Sequence, residues 1–256
     1  MNGIFYIGAT GLDAQGKAVE TVANNVANIN TAAYKRGTVS FSELLSADAA
    51  NGAAGADEVK RAAAGVMANP TLHVFAQGDL RPTGNDMDIA VQGEGFLELA
   101  GGDGRTTLWR GGTLRIGADG FLAAANGLPL ASMIAVPADA EAIHIAKNGM
   151  VTATLRNERT PVEIGQIELA VPADLQRMES LGDGLYALPD DALSVTRSVP
   201  GEDKAGLVAQ GFSEASNIKL ADEMVSLMIY QRAYASSARL VQIGDELMGI
   251  ANGLKR

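Results

Sequence analysis

The feature that most limits how this chain can fold is a change of hydrophobic period, from helical at both ends to two in the middle. Near the N-terminus, Phe5, Leu12, Val19, Val22, Val26 and Ile29 recur at steps of three, four or seven. Near the C-terminus, Leu220, Met224, Leu227, Tyr234 and Val241, then Leu240, Ile243, Leu247, Ile250 and Leu254, do the same. Such spacing collects apolar side chains on one stripe of a helix, so both termini are expected to be amphipathic helices with a seam for other helices. From about Thr71 to Phe212, apolar and polar residues alternate, as in Met87, Ile89 and Val91 against Asp88, Ala90 and Gln92. Gly117-Ala118-Asp119-Gly120, Ala125-Asn126-Gly127, Lys147-Asn148-Gly149 and Gly182-Asp183-Gly184 punctuate that stretch. Alternation interrupted by Asn-Gly and Asp-Gly turns predicts hairpins in an antiparallel sheet.

The expected fold class is therefore α+β. Long N- and C-terminal helices, 1–30 and 218–256, would pair in a coiled-coil-like assembly domain, with a mainly antiparallel β domain over 71–217 and an arm or connector over 31–70. Asn28-Ile29-Asn30-Thr31 should stop the first helix, since short polar side chains compete for its backbone. Within the connector, 46–68 is rich in Ala and Gly and poor in large apolar residues. It reads as an exposed arm against a neighbouring subunit, with a short helix near 56–64. At the far end Asn217 reads as the helix N-cap, with Asp222 and Glu223 at the positive end of the dipole. The run from Ile218 to Arg256 is about 39 residues, on the order of 58 Å at ~1.5 Å per residue, which suits a coiled coil or bundle better than an average globular helix.

Composition excludes several classes of function. A net charge of -10 and the absence of a basic patch remove the electrostatic footprint of nucleic-acid binding, so no nucleic acid is expected. No apolar run approaches the ~18 residues of a membrane span, and the chain is not expected to span one. The opening MNGIFYIGATGLDAQ lacks a basic leader and an apolar core, so a cleaved signal peptide is not expected. Cysteine is absent, which removes disulfides and thiolate sites. His73 and His144 have no second histidine at ligand spacing, Gly93-Glu94-Gly95 lacks the rest of a dinucleotide fingerprint, and Asp86 with Asp88 defines no acid–base pair. No catalytic residue, metal or cofactor is expected. Trp109-Arg110 leaves a glycan-binding β module as the reading from another class, although one tryptophan in a strand is more often core or interface.

In order along the chain stand Gly11-Leu12-Asp13-Ala14-Gln15, Val22-Ala23-Asn24-Asn25-Val26-Ala27-Asn28, Tyr34-Lys35-Arg36 and Phe41-Ser42-Glu43-Leu44-Leu45. Gln77-Gly78-Asp79-Leu80, Thr83-Gly84-Asn85-Asp86-Met87-Asp88-Ile89-Ala90-Val91 and Gly93-Glu94-Gly95-Phe96 follow. Glu214-Ala215-Ser216-Asn217, Leu220-Ala221-Asp222-Glu223-Met224-Val225 and Gln231-Arg232-Ala233-Tyr234 complete the set. Together these segments resemble the bacterial flagellar rod and hook family. The first and fourth, together with the direct run from Asp222 to Arg256, look most like its distal-rod members, with proximal-rod members the alternative; hook members usually carry a larger middle region. Ala33, where the family often has glycine, and Ile218-Lys219, in place of the commoner Val-Asn, depart from the pattern.

The resemblance implies a structural subunit of a homo-oligomeric helical polymer, a hollow rod that transmits torque and contains the export channel. The terminal helices would form its inner tube and the β domain its outer layer. Its implied partners are other rod proteins, the hook protein, the surrounding ring bushing and the flagellar type III export apparatus, and its implied place is the periplasmic rod of the basal body. The assembly interface is expected at Leu12, Val19, Val22, Asn24, Asn25, Val26, Asn28, Leu220, Met224, Leu227, Gln231, Tyr234, Leu247 and Ile250. The asparagines would fix register by amide hydrogen bonds. Burial of a handful of apolar side chains cannot offset ~1–2 kcal/mol of backbone entropy per residue in a lone helix, so the termini are expected to order on assembly.

Overall fold

The computed structural model describes residues 2–45, 63–101, 106–156, 160–188 and 195–253. These form two compact units, one of residues 1–27, 37–74 and 218–256, the other of residues 28–36 and 75–217. The expected connector is thus divided: 28–36 belongs with the β unit and 37–74 with the helices.

The helical unit contains α1 (Asn2–Ala27) and α2 (Leu220–Gly253), of 26 and 34 residues. Between them in sequence come β1 (Gly37–Thr38), β2 (Phe41–Leu45), β3 (Ala63–Ala68) and β4 (Leu72–His73). The helices pack against each other, and small residues set how closely. A Cβ added at Gly8 would lie 2.6 Å from Val241, one at Gly11 3.0 Å from Ser237, and one at Gly244 3.4 Å from the Phe5 ring. Each step forward on α1 therefore meets a step backward on α2, which makes the pair antiparallel. Buried Ala14, Ala18 and Val22 continue the stripe of Gly8 and Gly11 at three- and four-residue spacing. Small side chains let two backbones approach closely, and tight packing then supplies the dispersion contacts.

Strands β2 and β3 pair antiparallel and lie on the helices. Gly65 of β3 fits against Thr10 of α1, and Phe41 of β2 meets Tyr230 of α2 edge-on at 6.2 Å between ring centroids. Ala63 and Ala64, expected at the end of a short helix, are in β3, and Ala68, expected on an exposed arm, is buried. Cross-strand pairing and the helix surface beneath it give this Ala-rich stretch the contacts that its own side chains lack. The rest of the expected arm and helix, 46–62, lies outside the described residues.

The β unit runs through β5 (Leu80–Pro82), β6 (Asp88–Gln92), β7 (Phe96–Leu99), β8 (Thr107–Trp109), β9 (Gly111–Ile116) and β10 (Leu122–Ala124). It continues through β11 (Ala140–Ile145), β12 (Met150–Leu155), β13 (Val162–Gln166), β14 (Leu169–Pro172), β15 (Glu179–Gly182), β16 (Leu185–Ala187), β17 (Val195–Ser198), β18 (Leu207–Gln210) and β19 (Phe212–Glu214). Among the described residues the strand orders are β15-β16-β8-β7-β14-β17, β10-β9-β6-β18, β11-β12-β13 and the pair β19-β5. The ladders are antiparallel, and the expected turns at Asn148-Gly149 and Gly182-Asp183-Gly184 join β11 to β12 and β15 to β16.

Strands β7, β8 and β14 are buried on both faces. Leu97, Leu99, Trp109 and Leu169 enter one core with Ile89, Leu122 and Val151, while Phe96, Leu108 and Ala170 enter a second with Met178 and Tyr186. The period of two remains, but it sorts apolar residues between two cores. The expected polar face of β6 is corrected for a related reason. Asp88 is buried and accepts hydrogen bonds from Asn85 and Thr113, and Ala90 is buried too.

Gly8→Leu tests the helix contact, because propensity and packing push it in opposite directions. Leucine is the better helix former by roughly 0.8–1 kcal/mol, yet its side chain would occupy the space that Val241 fills. Circular dichroism should show a net loss of helical stability in the variant. A gain would mean that α1 and α2 are not in close contact in solution.

Candidate functional site

Two buried polar clusters surround the successive residues Lys35, Arg36 and Gly37. In the β unit, the Glu214 carboxylate at the end of β19 receives three donors. Lys35 Nζ lies 2.6 Å and the Gly78 amide 2.8 Å from Oε1, and Arg110 Nε lies 2.8 Å from Oε2. Lys35, Arg110 and Glu214 are all buried. Arg110 also donates to the carbonyls of Gly95 and Gly93 and lies over the Phe96 ring, 5.5 Å from its centroid. Lys35 also donates to Ala76 O. Gly78 is required here, because a Cβ on it would overlap the Ala215 carbonyl.

A carboxylate with this donor set is satisfied where an isolated charge would be expelled. Burial holds the Lys35 ammonium below its ordinary pKa of 10.5, against the raising pull of Glu214. Between the lowered value and 10.5 the unfolded chain binds more protons at Lys35, so the stability contributed through this group rises with pH across that window. Tyr186 packs edge-on against Phe75 at 5.0 Å and Phe96 at 6.0 Å, and burial pushes its phenol well above the usual tyrosine range. It is a neutral wall of the cluster.

Asn217 departs from its expected role. The first helical hydrogen bonds of α2 end on the Lys219 carbonyl, so the cap lies two residues further on. The Asn217 carboxamide instead accepts the Arg36 amide at 2.8 Å through Oδ1 and donates to Ala76 O at 3.0 Å through Nδ2. The Ala33 amide donates to Glu214 O, and the Ala215 amide to Asp79 O. Ala33 adopts a left-handed φ of 58°, which favours glycine because a side chain there costs ~1–2 kcal/mol. That conformation gives a physical meaning to the departure at this position.

In the helical unit, Asn25 is buried and treats Gly37 as a strand would. Its Oδ1 accepts the Gly37 amide and its Nδ2 donates to the Gly37 carbonyl, each at 2.8 Å. The same Nδ2 lies 3.0 Å from Oε2 of buried Glu223 in the first turn of α2. This contact continues the antiparallel register set by Phe5, Gly8 and Gly11.

The other expected interface residues are dispersed. Val22 is buried; Leu12, Val19, Val26, Asn28 and Leu227 are half-buried; Asn24, Leu220, Met224, Gln231, Tyr234, Leu247 and Ile250 are exposed. Asn28 accepts from Thr31 in the turn after α1. On α2, the residues turned inward are Glu223, Ser226, Tyr230, Ala233, Ser237, Val241, Gly244 and Met248. At ~100° per residue, Leu220, Met224 and Leu227 lie to one side of that stripe. Val225, Ile229, Leu240, Ile243, Leu247 and Ile250 lie to the other, with Ile229 57% and Ile250 61% exposed. What read as one seam is two apolar flanks, because the run changes phase near Tyr234. Sequence spacing could not reveal Lys35, Arg110 and Glu214 as a cluster, since they are far apart in the chain. Trp109, considered for a glycan platform, is buried in the main core.

Three stretches match known families: residues 5–35 the flagella basal body rod protein family, 90–153 the flagellar hook protein FlgE/F/G D1 domain, and 209–254 the flagellar basal body rod FlgEFG protein C-terminal family. The chain is 33% identical over 254 residues to the flagellar basal-body rod protein FlgG of Agrobacterium fabrum, covering 96% of this chain and 97% of the relative. It is 29% identical to the FlgG of Borreliella burgdorferi, covering 97% of each. It is also 29% identical to the flagellar basal-body rod protein FlgF of Caulobacter vibrioides, covering 96% of this chain and 95% of that one.

Two substitutions measure the cluster. Glu214→Gln leaves two buried cations without their carboxylate and should lower the stability of the β unit by about 3–5 kcal/mol in chemical denaturation. Ala33→Gly removes the left-handed penalty at the cost of a more flexible unfolded chain, so a gain of up to about 1 kcal/mol is expected. A loss at that site would show that the packing of the Ala33 methyl outweighs its backbone strain.

Proposed function

The chain belongs to the flagellar basal-body rod protein family and is a structural subunit of the rod, and from that premise we propose that it builds the distal rod as a self-assembling, hollow drive shaft. In this reading the terminal helices form the inner tube and bound an export channel, the β unit forms the outer layer, and the shaft turns within the periplasm inside a ring bushing. Neighbouring rod proteins and the hook protein meet its ends. The subunit reaches its place through the flagellar type III apparatus. Full-length similarity to proteins named FlgG supports the distal position, as do the Gly11–Gln15 and Phe41–Leu45 segments. No described helix is long and apolar enough to cross a membrane.

The observation that carries assembly is the pair of apolar flanks on α2. A helix folded only into its own subunit would present one apolar stripe and a polar remainder. Here Met224 and Met228 are about half exposed in addition to the residues of the opposite flank. Side chains of this size left in water on two sides of one helix are suited to two different neighbours. A second copy of this chain is the occupant that fits, since flanks on different sides join head to tail and such contacts propagate. Coiled-coil-like packing between copies would cover them, and the order of the termini would then depend on assembly.

Each flank can be tested separately. Leu247→Asp and Met224→Asp place a carboxylate where packing would desolvate it, so each should abolish filament formation by concentrated protein in electron microscopy. The β unit should keep its thermal transition. Normal filaments from both variants would rule out α2 as the assembly surface.

A further inference from the structure

Within the β unit, the segments next to the chain crossings are bound together by one side chain. The chain passes between the two units at 27/28, 36/37, 74/75 and 217/218. At three of these crossings the bordering residue, or its immediate neighbour, is a partner of the Asn217 carboxamide or is Asn217 itself. Oδ1 holds the Arg36 amide, Nδ2 holds Ala76 O, and Asn217 stands at the last crossing. Behind this carboxamide the same three segments are joined again. Lys35 reaches both Ala76 O and Glu214, Gly78 donates to Glu214, Ala33 donates to Glu214 O, and Ala215 donates to Asp79 O. Arg110 then fixes the Glu214 carboxylate to the turn between β6 and β7 that carries Gly93 and Gly95.

A connector that needed only to link two bodies would have its backbone groups satisfied by water. These are satisfied by buried charge and by one carboxamide, and three lengths of chain are cross-linked within a few residues of where each leaves the β unit. We propose that Asn217 and the Lys35–Glu214–Arg110 cluster form a tether that delivers tension arriving along the terminal segments into the β unit's core. This rests on the reading of the chain as a torque-transmitting rod subunit. The mechanical reason is that hydrogen bonds and ion pairs joining adjacent segments share tension between them, whereas a single strand would peel one bond at a time. Charge-assisted bonds are the stronger kind, and Glu214 collects three of them.

Amide hydrogen exchange on the full-length monomer tests the tether without requiring assembly. In the unsubstituted protein the Ala33, Arg36, Gly78 and Ala215 amides should be protected to the same degree as core amides such as Leu122 and Val208, whose partners are Ile134 O and Lys147 O. Asn217→Ala leaves no buried charge behind and should speed exchange at Ala33, Gly78 and Ala215 at least tenfold while Leu122 and Val208 are unchanged; Glu214→Gln should act more strongly at the same amides. Loop-like exchange of Ala33 and Arg36 in the unsubstituted protein overturns the tether, as does unchanged exchange in both variants. Equal loss at Leu122 and Val208 in both variants overturns it too, by making the cluster part of the core. In cells whose rods carry Asn217→Ala, flagella should turn in dilute medium and stall or break in viscous medium. Swimming equal to that of the unsubstituted protein in viscous medium removes the mechanical role. Failure of the unsubstituted protein to polymerise would instead count against the rod reading and leave the exchange result standing.

Discussion

Three donors converge on the buried Glu214 carboxylate, and the route of the chain through the β unit depends on that convergence. Lys35 comes from the segment after α1, Gly78 from the segment before β5, and Arg110 from the turn between β8 and β9. Removing any of these charges from water is costly, and the cost is offset only when all are present in good geometry. The cluster therefore behaves as a condition on the fold: the carboxylate is stably buried only with the segment containing Lys35 docked against it. This is the physical reason that 28–36 groups with the β unit although it follows α1 directly in sequence.

On the other side of the 36/37 crossing the chemistry is neutral on one partner and anionic on the other. Asn25 gives Gly37 the two backbone hydrogen bonds that a neighbouring strand would give and uses the same amide nitrogen to fix Glu223. A carboxamide suits this position because it both donates and accepts, whereas a carboxylate could only accept. The small-residue stripe on α1 then needs no further specification, since with Asn25 and Glu223 in contact, Gly11 falls opposite Ser237 and Gly8 opposite Val241. Polar contact sets the register, and close packing exploits it.

The helices, the antiparallel middle and the hairpin turns were legible in the sequence because each depends on local period or on turn chemistry within a few residues. The stop at Asn28 was legible for the same reason. Asn217 was misread because Asn before an apolar run has the local form of a cap, and only the fold brings Arg36 and Ala76 within reach of its amide. Asp88 alternates with apolar residues as a position on a polar strand face would, and its burial could not be seen locally because it depends on Asn85 and on Thr113 from another strand. The Lys35, Arg110 and Glu214 cluster had no local signal at all. Yet Asn25, Tyr34-Lys35-Arg36, Gln77-Gly78, Glu214 and Asn217 lie in the very segments on which the family resemblance rested. The structure supplies the reason: those segments hold the donors and acceptors of the two polar clusters, where a changed residue would leave a buried group without its partner.

The position of the phase change in α2 bears on what kind of assembly these helices can make. Toward the N-terminal end the helix has apolar residues on both sides of its inward stripe, with Leu220, Met224 and Leu227 on one and Val225 and Ile229 on the other. Toward the C-terminal end the first side becomes polar with Gln242, Asp245 and Glu246, while the second continues through Leu240, Ile243, Leu247 and Ile250. A symmetric dimer needs one self-complementary patch, and a helix with a single apolar flank could be satisfied by it. Two flanks of unequal length, on different sides, cannot both be covered by one two-fold contact. Under the proposed rod assembly, the flanks suit an open series of copies in which one end of α2 is enclosed on both sides and the other on one.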